Sequence, residues 1–219
     1  MNLKNKRILI TAGPTWVKID SVRVINNTAS GLTGILLAEK LNRLGAKVTL
    51  LLGPVALAVD TCCLNNKIRL IRFRFFDELR LILKRELALK RYAVVIHTAA
   101  VSDYKPALIC QGKIRSGLKA LSIKLRPTPK IINVFKEAQP DIFLVGFKFE
   151  PKASKINLIK EARRLIKNTH SDLIAANTLK NNHYLAYLVS PDKIRGPMRS
   201  KKNMAESLIK ILRCTYARA

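Results

Sequence analysis

Short apolar runs alternate with amphipathic helical patterns along most of this chain, and this alternation constrains the fold more than any other feature. The runs are rich in Ile, Leu and Val, as is typical of buried strands of a parallel sheet. They predict strands at residues 7–11, 47–52, 68–72, 93–96, 142–147 and 173–176. Helical patterns separate them at residues 31–44, 77–89, about 131–138 and 154–167. The alternation favours an α/β fold with a doubly wound, mostly parallel sheet.

The pattern changes after Asn177, where a late strand is predicted at residues 185–190 and a final helix begins near Ser200. The apolar positions of that helix are Met204, Leu208, Ile211 and Leu212. We expect these elements to close the same sheet. Because the sequence has no internal repeat, low-complexity stretch or linker, we predict a single domain over residues 1–219.

One segment interrupts the regular order of strands and helices. Leu121, Ile123 and Leu125 alternate with polar residues behind a Ser-Gly turn at residues 116–117. This pattern is typical of a β-hairpin with one apolar face, so we predict a hairpin flap at about residues 108–126. The apolar face requires cover, and we expect the flap to reach over the active site or across a subunit interface.

The start of the first predicted helix has the features of an anion site. Gly31 allows the backbone to approach a ligand closely, and Ser30 is a natural N-cap for the amphipathic run that ends at Gly45. Backbone N–H groups at a helix start bind phosphates readily. A dinucleotide fingerprint, with glycines directly after the first strand and an acidic residue after the second, is absent. The sequence therefore favours a mononucleotide or another phosphate ligand over NAD.

Charge and cysteine content disfavour several classes of protein. The net charge is +27, but the 41 Lys and Arg residues are spread along the chain, and no nucleic-acid-binding motif occurs. We therefore favour an anionic substrate or a general lysine bias over specific nucleic-acid binding. The three histidines have no partner at metal-ligand spacing, and no CxxC pair occurs among Cys62, Cys63, Cys110 and Cys214, so no protein metal site is predicted. With neither a signal peptide nor an apolar span of membrane length, a cytoplasmic protein is expected.

Ligands of open α/β sheets bind beyond the carboxyl ends of the strands. This rule selects four loops, at residues 13–30, 97–113, 126–132 and 147–150. The first two loops carry the candidate site residues Arg23, Asn27, Ala99, Ala100, Asp103 and Lys113. Taken alone, Asp103 is better interpreted as a turn residue before Lys105-Pro106, and Lys113 as a solvated lysine of the hairpin.

The strand ends also carry short motifs in a defined order. They are Thr11-Ala12-Gly13-Pro14-Thr15, Asp20, Arg23, Asn27, Ser30-Gly31 with Gly34, Gly53-Pro54-Val55, Ala99-Ala100-Val101 with Asp103, Lys113-Ile114, Gly146-Phe147 and Asp172-Leu173-Ile174 with Ala176-Asn177. In this combination the chain resembles phosphopantothenoylcysteine synthetase from residue 7 to about residue 177. The resemblance implies a Rossmann-like sheet.

It also implies a reaction, in which a ligase of coenzyme A biosynthesis joins 4′-phosphopantothenate to cysteine. In bacterial members the acid is activated by CTP with Mg²⁺, whereas eukaryotic relatives use ATP. The carboxylate attacks the α-phosphate to give an acyl-cytidylate and pyrophosphate, and the amine of cysteine then displaces CMP. No protein nucleophile and no flavin are implied. The predicted hairpin resembles the dimer flap of the family, so a homodimer is expected.

Site residues follow from the resemblance as well. Asn27 and Lys113 are expected to be catalytic, with Asn27 holding the acyl carbonyl and Lys113 neutralising charge on the α-phosphate. The expected substrate-binding residues are Arg23, Asn27, Ala99 and Ala100. The expected nucleotide-binding residues, with Asp103 on the ribose or base, are Gly13, Ser30, Gly31, Asp103, Lys113, Pro129, Lys130, Ile131, Ile132 and Phe147.

Several positions depart from the family's pattern. Arg115 and Ser116 stand where further lysines usually follow, and Lys130 replaces an aspartate. Two lysines expected on the helix after Glu150 are missing, so Arg164 or Lys167 is expected to substitute.

Alternatives remain open at this point. Many bacteria fuse the synthetase behind a flavin-dependent decarboxylase, so the chain is either a stand-alone synthetase or one trimmed from a longer protein. Competing functions are an NAD(P)-dependent reductase on a similar sheet and a basic nucleic-acid-binding protein.

Overall fold

An eight-stranded sheet forms the centre of the computed structural model, which describes residues 3–55, 64–181 and 183–217. The sheet contains β1 (Arg7–Ala12), β4 (Lys47–Leu52), β5 (Arg69–Arg72), β6 (Val94–His97), β9 (Phe143–Phe149), β10 (Leu173–Lys180), β11 (His183–Val189) and β12 (Ile194–Met198). Two short pairs lie outside it, namely β2 (Val17–Lys18) with β3 (Val24–Ile25) and β7 (Tyr104–Pro106) with β8 (Leu125–Pro127).

The strand order across the sheet is β12, β11, β10, β9, β6, β1, β4, β5. The strands from β10 to β5 are parallel, whereas β11 and β12 are antiparallel and close one edge. The chain moves outward from β1 through β4 to β5, then crosses to the other side of β1 and continues through β6, β9 and β10. The predicted doubly wound, mostly parallel sheet is confirmed. Its order reverses beside β1, where ligands of such sheets bind.

Helices cover both faces of the sheet. α1 (Leu32–Arg43) and α5 (Lys201–Thr215) pack on the face that contains Ile8 and Ile10. α2 (Phe76–Ala88) and α3 (Asn133–Ala138) pack on the opposite face, which contains Leu9, and α4 (Lys155–Thr169) continues that layer. Burial of each such aliphatic side chain contributes about 1.5–3 kcal/mol. Within the described ranges, none of the helices is long and apolar enough to cross a membrane.

The strand β12 is an addition to the elements predicted from the sequence. Its residues Ile194–Met198 include Gly196 and Pro197, which are typical of a turn. Proline is tolerated here because β12 is an edge strand, bonded on one side to β11.

Strand pairing around the predicted flap differs from expectation. β7 and β8 pair at its base, and only Leu125 of the predicted alternating strand belongs to them. Residues 107–124, called the excursion below, form no strand. Cys110 N instead donates to Ile19 O at 3.1 Å, and Gly112 O accepts from Ser21 N at 3.3 Å. The structure has no strand at residues 113–124, so the strand pairing predicted within residues 113–125 is wrong.

Candidate active site

Three glycines bring the ends of β1 and β4 against the start of α1. Gly13 and Gly31 have φ angles of 78° and 73°, in the left-handed region that favours glycine. A Cβ atom on Gly13 would lie 3.2 Å from Gly53 Cα, and one on Gly31 would lie 3.3 Å from Gly13 N. Side chains are thus kept out of this corner, so a ligand can approach the main chain closely there.

The N-cap of α1 is Gly31, so the prediction of Ser30 as N-cap is wrong. Gly31 O accepts hydrogen bonds from Gly34 N and Ile35 N at 3.1 and 3.2 Å. The Ser30 hydroxyl lies 3.5 Å from Leu32 N, too far for a strong hydrogen bond, and it does not cap the helix. The first turn therefore lacks a side-chain cap, which leaves the N–H groups of Leu32 and Thr33 available to an anion.

Asn27 is held against the loop that follows β6. Its Nδ2 donates to Ala100 O at 3.0 Å, and the same carbonyl accepts a hydrogen bond from Thr15 N at 3.2 Å. Ala100 N in turn donates to Gly13 O at 3.0 Å. The structure therefore brings Gly13, Asn27, Ala99 and Ala100 together across the ends of β1 and β6, beside the reversal of strand order.

A buried carboxylate connects the loop before Asn27 to the excursion. Asp20 is 2% exposed and accepts hydrogen bonds from Val22 N at 2.8 Å, Arg23 N at 2.6 Å and Arg23 Nη1 at 2.5 Å. Ile114 N donates to Asp20 Oδ2 at 3.1 Å, and Arg23 Nη1 donates to Ile114 O at 3.2 Å. These contacts fix the backbone next to Lys113, whose side chain is exposed.

The ionisation of Asp20 follows from the same contacts. Burial by itself would raise the pKa of this carboxyl, but the N–H groups of Val22, Arg23 and Ile114 and the Arg23 guanidinium outweigh it. The pKa lies well below its ordinary value, so Asp20 is a carboxylate at any physiological pH. No role follows for Asp20 from the sequence alone. Its spacing three residues before Arg23 was the available signal, since aspartates often bond to the backbone of a following turn.

An ion pair joins the loops after β6 and β8. Lys130 Nζ lies 2.7 Å from Asp103 Oδ1, and each side chain is 62% exposed. Thr128 N also donates to Asp103 O, at 2.9 Å. The predicted nucleotide residues Asp103, Pro129 and Lys130 are therefore close together. Exposed pairs of this kind contribute little to stability.

Other predicted nucleotide residues have side chains in the core. Ile131 and Ile132 are 3% and 9% exposed, and Phe147 on β9 is half-buried against the core. A Cβ atom on Gly146 would lie 3.0 Å from Ile132 Cδ1, so the glycine makes room for this packing. The nucleotide contact expected of these three residues stays a prediction.

His97 ends β6 beneath the site. Its Nδ1 lies 2.7 Å from Thr11 Oγ1, and its ring centroid lies 5.3 Å from that of Phe135. Burial lowers the pKa of His97 to about 4, so the ring is neutral at physiological pH.

Candidate metal ligands are dispersed. No group of three or more His, Cys, Asp or Glu side chains that could hold a metal ion occurs in the part of the chain that the structure describes. Cys110 and Cys214 are exposed free thiols, whereas Cys62 and Cys63 lie outside the described residues.

The two cations expected to replace the missing family lysines lie well along α4. This helix connects the parallel strands β9 and β10, so it runs from the carboxyl edge of the sheet back to the amino edge. Arg164 comes nine residues after the first residue of α4, which is about 14 Å along the helix axis. Its guanidinium lies 2.6 Å from Glu161. This geometry does not favour the expected substitution by Arg164 or Lys167.

Comparison with protein families matches residues 3–214 to the DNA/pantothenate metabolism flavoprotein C-terminal domain. The chain belongs to this family. The resemblance drawn from the strand-end motifs is confirmed.

Two curated relatives match this chain over part of a longer protein. The chain is 39% identical over 211 residues to the coenzyme A biosynthesis bifunctional protein CoaBC of Thermococcus kodakarensis, with 94% of this chain and 51% of that protein covered. It is 32% identical over 216 residues to the CoaBC protein of Borreliella burgdorferi, with 96% and 53% covered. The chain thus spans about half the length of the curated relatives it matches.

Solved structures share the fold. The DNA/pantothenate metabolism flavoprotein from Streptococcus pneumoniae is 27% identical, with a TM-score of 0.84 and 96% of this chain and 99% of that chain covered. A Cab2 H337A mutant in complex with phosphopantothenate-cysteine is 20% identical, with a TM-score of 0.78 and 98% and 87% covered. At that identity the second likeness concerns the fold alone.

Proposed function

We propose that this chain is a phosphopantothenate–cysteine ligase of coenzyme A biosynthesis that uses CTP in preference to ATP. Family membership supports the reaction. The main structural support for the site is a pair of hydrogen bonds at the reversal of strand order, called tethers below. Ile114 N donates to Asp20 in one, and Asn27 donates to Ala100 O in the other. They draw the loops that bear Asn27, Arg23 and Lys113 toward one end of β1, where a phosphorylated acid and a nucleotide require donors and cations.

In the first step, a carboxylate oxygen of 4′-phosphopantothenate attacks the α-phosphorus of CTP. The bond from that phosphorus to the bridging oxygen breaks, and pyrophosphate leaves with the electron pair. Lys113 is exposed and its backbone is fixed through Ile114, so its ammonium neutralises charge that grows on the phosphate oxygens. Arg23 orients the acid, because its guanidinium is already held by Asp20.

In the second step, the amine of cysteine attacks the acyl carbonyl and CMP leaves with the electron pair. The amine loses its proton to solvent. An asparagine amide carries two N–H donors. Asn27 uses one to bond Ala100 O at 3.0 Å, which leaves the other for the carbonyl oxygen as negative charge develops there.

Mg²⁺ would neutralise triphosphate charge when bound with the nucleotide. The described residues lack a cluster of three acidic or histidine ligands. This fits an ion held mainly by nucleotide phosphates, as Mg²⁺ usually is, with at most one or two carboxylates. Asp103 is the exposed carboxylate among the predicted nucleotide residues.

We propose further that a second copy of the chain covers the excursion, so that the protein is a homodimer. Large apolar side chains are exposed along it, at Leu108 (89%), Ile109 (54%), Leu118 (57%) and Leu121 (51%). Several large exposed apolar side chains on one segment are typical of a surface that a partner covers.

The decisive assay is pyrophosphate release from CTP or ATP in the presence of 4′-phosphopantothenate and cysteine. We expect release to require the phosphorylated acid, to be faster with CTP, and to yield the cysteine amide. Equal release with pantothenate would overturn the substrate assignment. Thermal stabilisation by NADPH alone would favour a reductase, and stabilisation by oligonucleotides alone at low salt would favour nucleic-acid binding.

A further inference from the structure

A second concave site lies at the opposite edge of the sheet, where the parallel strands begin. It is a cavity of about 290 Å³, and five of its eight lining side chains are the cations Arg7, Lys47, Lys67, Arg69 and Arg91. β1 has six residues, so about 20 Å of strand separate this cavity from the glycine corner. We call it the basal cavity.

Strand register builds the basal cavity. Arg7 and Lys47 are the first residues of β1 and β4 and stand opposite each other, and Arg69 begins β5 beside Thr49. Three adjacent parallel strands therefore each begin with a cation. Lys67 precedes β5, and Arg91 lies shortly before β6.

A buried polar group fixes one wall of the cavity. Glu86 is 6% exposed and does not itself line the cavity, but Arg69 Nη1 and Arg91 Nη2 each donate to Glu86 Oε2 at 2.8 Å. Tyr92 donates a short hydrogen bond to the same oxygen. These contacts hold two guanidiniums in place before any ligand arrives.

The cavity has more positive charge than the protein neutralises. Among the residues that the structure describes, Arg69 and Arg91 pair with Glu86, whereas Arg7, Lys47 and Lys67 form no ion pair. Five cations and one carboxylate leave a net charge of four in one concave surface. Confined like charges destabilise the folded chain, and an anion bound between them relieves that repulsion.

We propose that the basal cavity binds a small polyphosphate anion, of which pyrophosphate is the simplest member. Preset guanidiniums recognise phosphoryl oxygens in bidentate geometry, and the flexible ammonium groups of Lys47 and Lys67 add charge without fixed geometry. The excess of positive charge matches a polyphosphate better than a phosphomonoester or a carboxylate. This site does not depend on the proposed ligase function.

The test is calorimetric titration with sodium pyrophosphate at physiological ionic strength. The variant Arg7→Gln with Lys47→Gln is compared with Lys202→Gln with Lys210→Gln, which removes the same charge from exposed positions on α5. We expect the first variant to lose one binding event, or to bind at least tenfold more weakly there, and the second to match the wild type. Lys113→Gln should leave this event intact, which separates it from pyrophosphate bound at the candidate active site.

Stability gives a second readout. Without ligand, the Arg7→Gln, Lys47→Gln variant should melt at or above the wild-type temperature, because two repelling charges are gone, and pyrophosphate should no longer raise its Tm through this site. Equal weakening in both charge variants would attribute binding to net charge and overturn the proposal. The proposal would also be overturned if only one binding event occurs and Lys113→Gln abolishes it. Tighter binding of a single-stranded oligonucleotide that displaces pyrophosphate from the cavity would overturn it as well.

Discussion

The carboxylate of Asp20 accepts a hydrogen bond of 3.1 Å from the backbone N–H of Ile114, 94 residues further along the chain. The same carboxylate bonds Arg23 through both its backbone and its guanidinium. One buried group therefore sets the position of an orienting arginine and of the backbone beside Lys113. Within the proposed mechanism Asp20 is a positioning residue, because it acts through its neighbours.

Replacing Asp20 with asparagine tests this relationship. The amide keeps one acceptor but turns an NH₂ group toward N–H donors, so we expect the Lys113 backbone to lose its anchor. Misplacement of a catalytic group by about 1 Å costs on the order of a hundredfold in rate, and kcat/KM should fall by about that factor. The control is Asp192→Asn, an exposed carboxylate that should leave kcat/KM unchanged. A wild-type rate in Asp20→Asn would show that the tether is not needed.

The central sheet was predictable because its signals are local. Apolar runs such as residues 47–52 and the 3.6-residue periodicity of α1 and α5 identify their elements without knowledge of distant residues. The contact between Asp20 and Ile114 was not predictable, since it joins loops far apart in sequence. Alternation at Leu121 and Ile123 predicted strand pairing there, but pairing is confined to β7 and β8. The bonds from residues 110, 112 and 114 to the loop at residues 19–23 are likewise long-range and were not predictable.

Burial of His97 makes folding stability depend on pH in a defined window. Its pKa is lowered from 6.5 to about 4, so between these values the unfolded chain binds a proton that the folded chain does not. The free energy of unfolding should fall as pH decreases from 6.5 to 4, by up to about 1.4 kcal/mol per pH unit. His97→Gln should flatten this dependence in urea titrations, whereas the exposed His183→Gln should retain it. An unchanged slope in His97→Gln would contradict the assignment.

Glu86 makes folding stability depend on pH in a lower window, because the folded chain favours the charged form of this side chain. Burial would raise the pKa of this carboxyl, but Arg69, Tyr92 and Arg91 lower it from 4.5 to about 2. The contribution of the charged form is complete above pH 4.5 and is lost as pH falls toward 2. At pH 7, Glu86→Gln should cost about 2 kcal/mol in denaturant unfolding, because it removes a buried charge that holds two guanidiniums.

The matched control for Glu86 is Glu206→Gln, which breaks the pair with Lys40. Glu206 is 50% exposed, so its loss should cost less than about 1 kcal/mol. Equal costs for the two substitutions would mean that burial adds nothing to the Glu86 cluster.

The proposed dimer is tested at Leu121, which is 51% exposed on the excursion. Leu121→Lys should shift the sedimentation profile toward monomer, because it places a charge in a surface that a second copy would cover. Leu81 on α2 is similarly exposed, at 50%, and lies outside the excursion. Leu81→Lys should therefore leave the profile unchanged. A wild-type protein that is monomeric and fully active would end this proposal.

The two chemical steps of the proposed reaction should respond to different residues. Lys113 stands alone where the family usually has further lysines, and negative charge grows on the nucleotide during activation, so Lys113→Gln should form little acyl-nucleotide. Asn27→Asp keeps the shape of the side chain but faces the developing oxyanion with a negative charge. Loss of one such donor typically costs a factor of about a hundred or more, so this variant should form the intermediate and fail to transfer it.

Quenched single-turnover reactions with labelled 4′-phosphopantothenate distinguish these outcomes, because the acyl-nucleotide and the amide product are counted separately. Lys119→Gln, an exposed lysine on the same excursion, controls for charge and should behave as the wild type. The tether from Asn27 to Ala100 gives a further check. Asn27→Asp replaces the donor with an acceptor that repels Ala100 O, so thermal melting must show that the loop remains folded before the kinetics are interpreted. If folded Asn27→Asp blocks activation as completely as Lys113→Gln, the two residues do not act on separate steps.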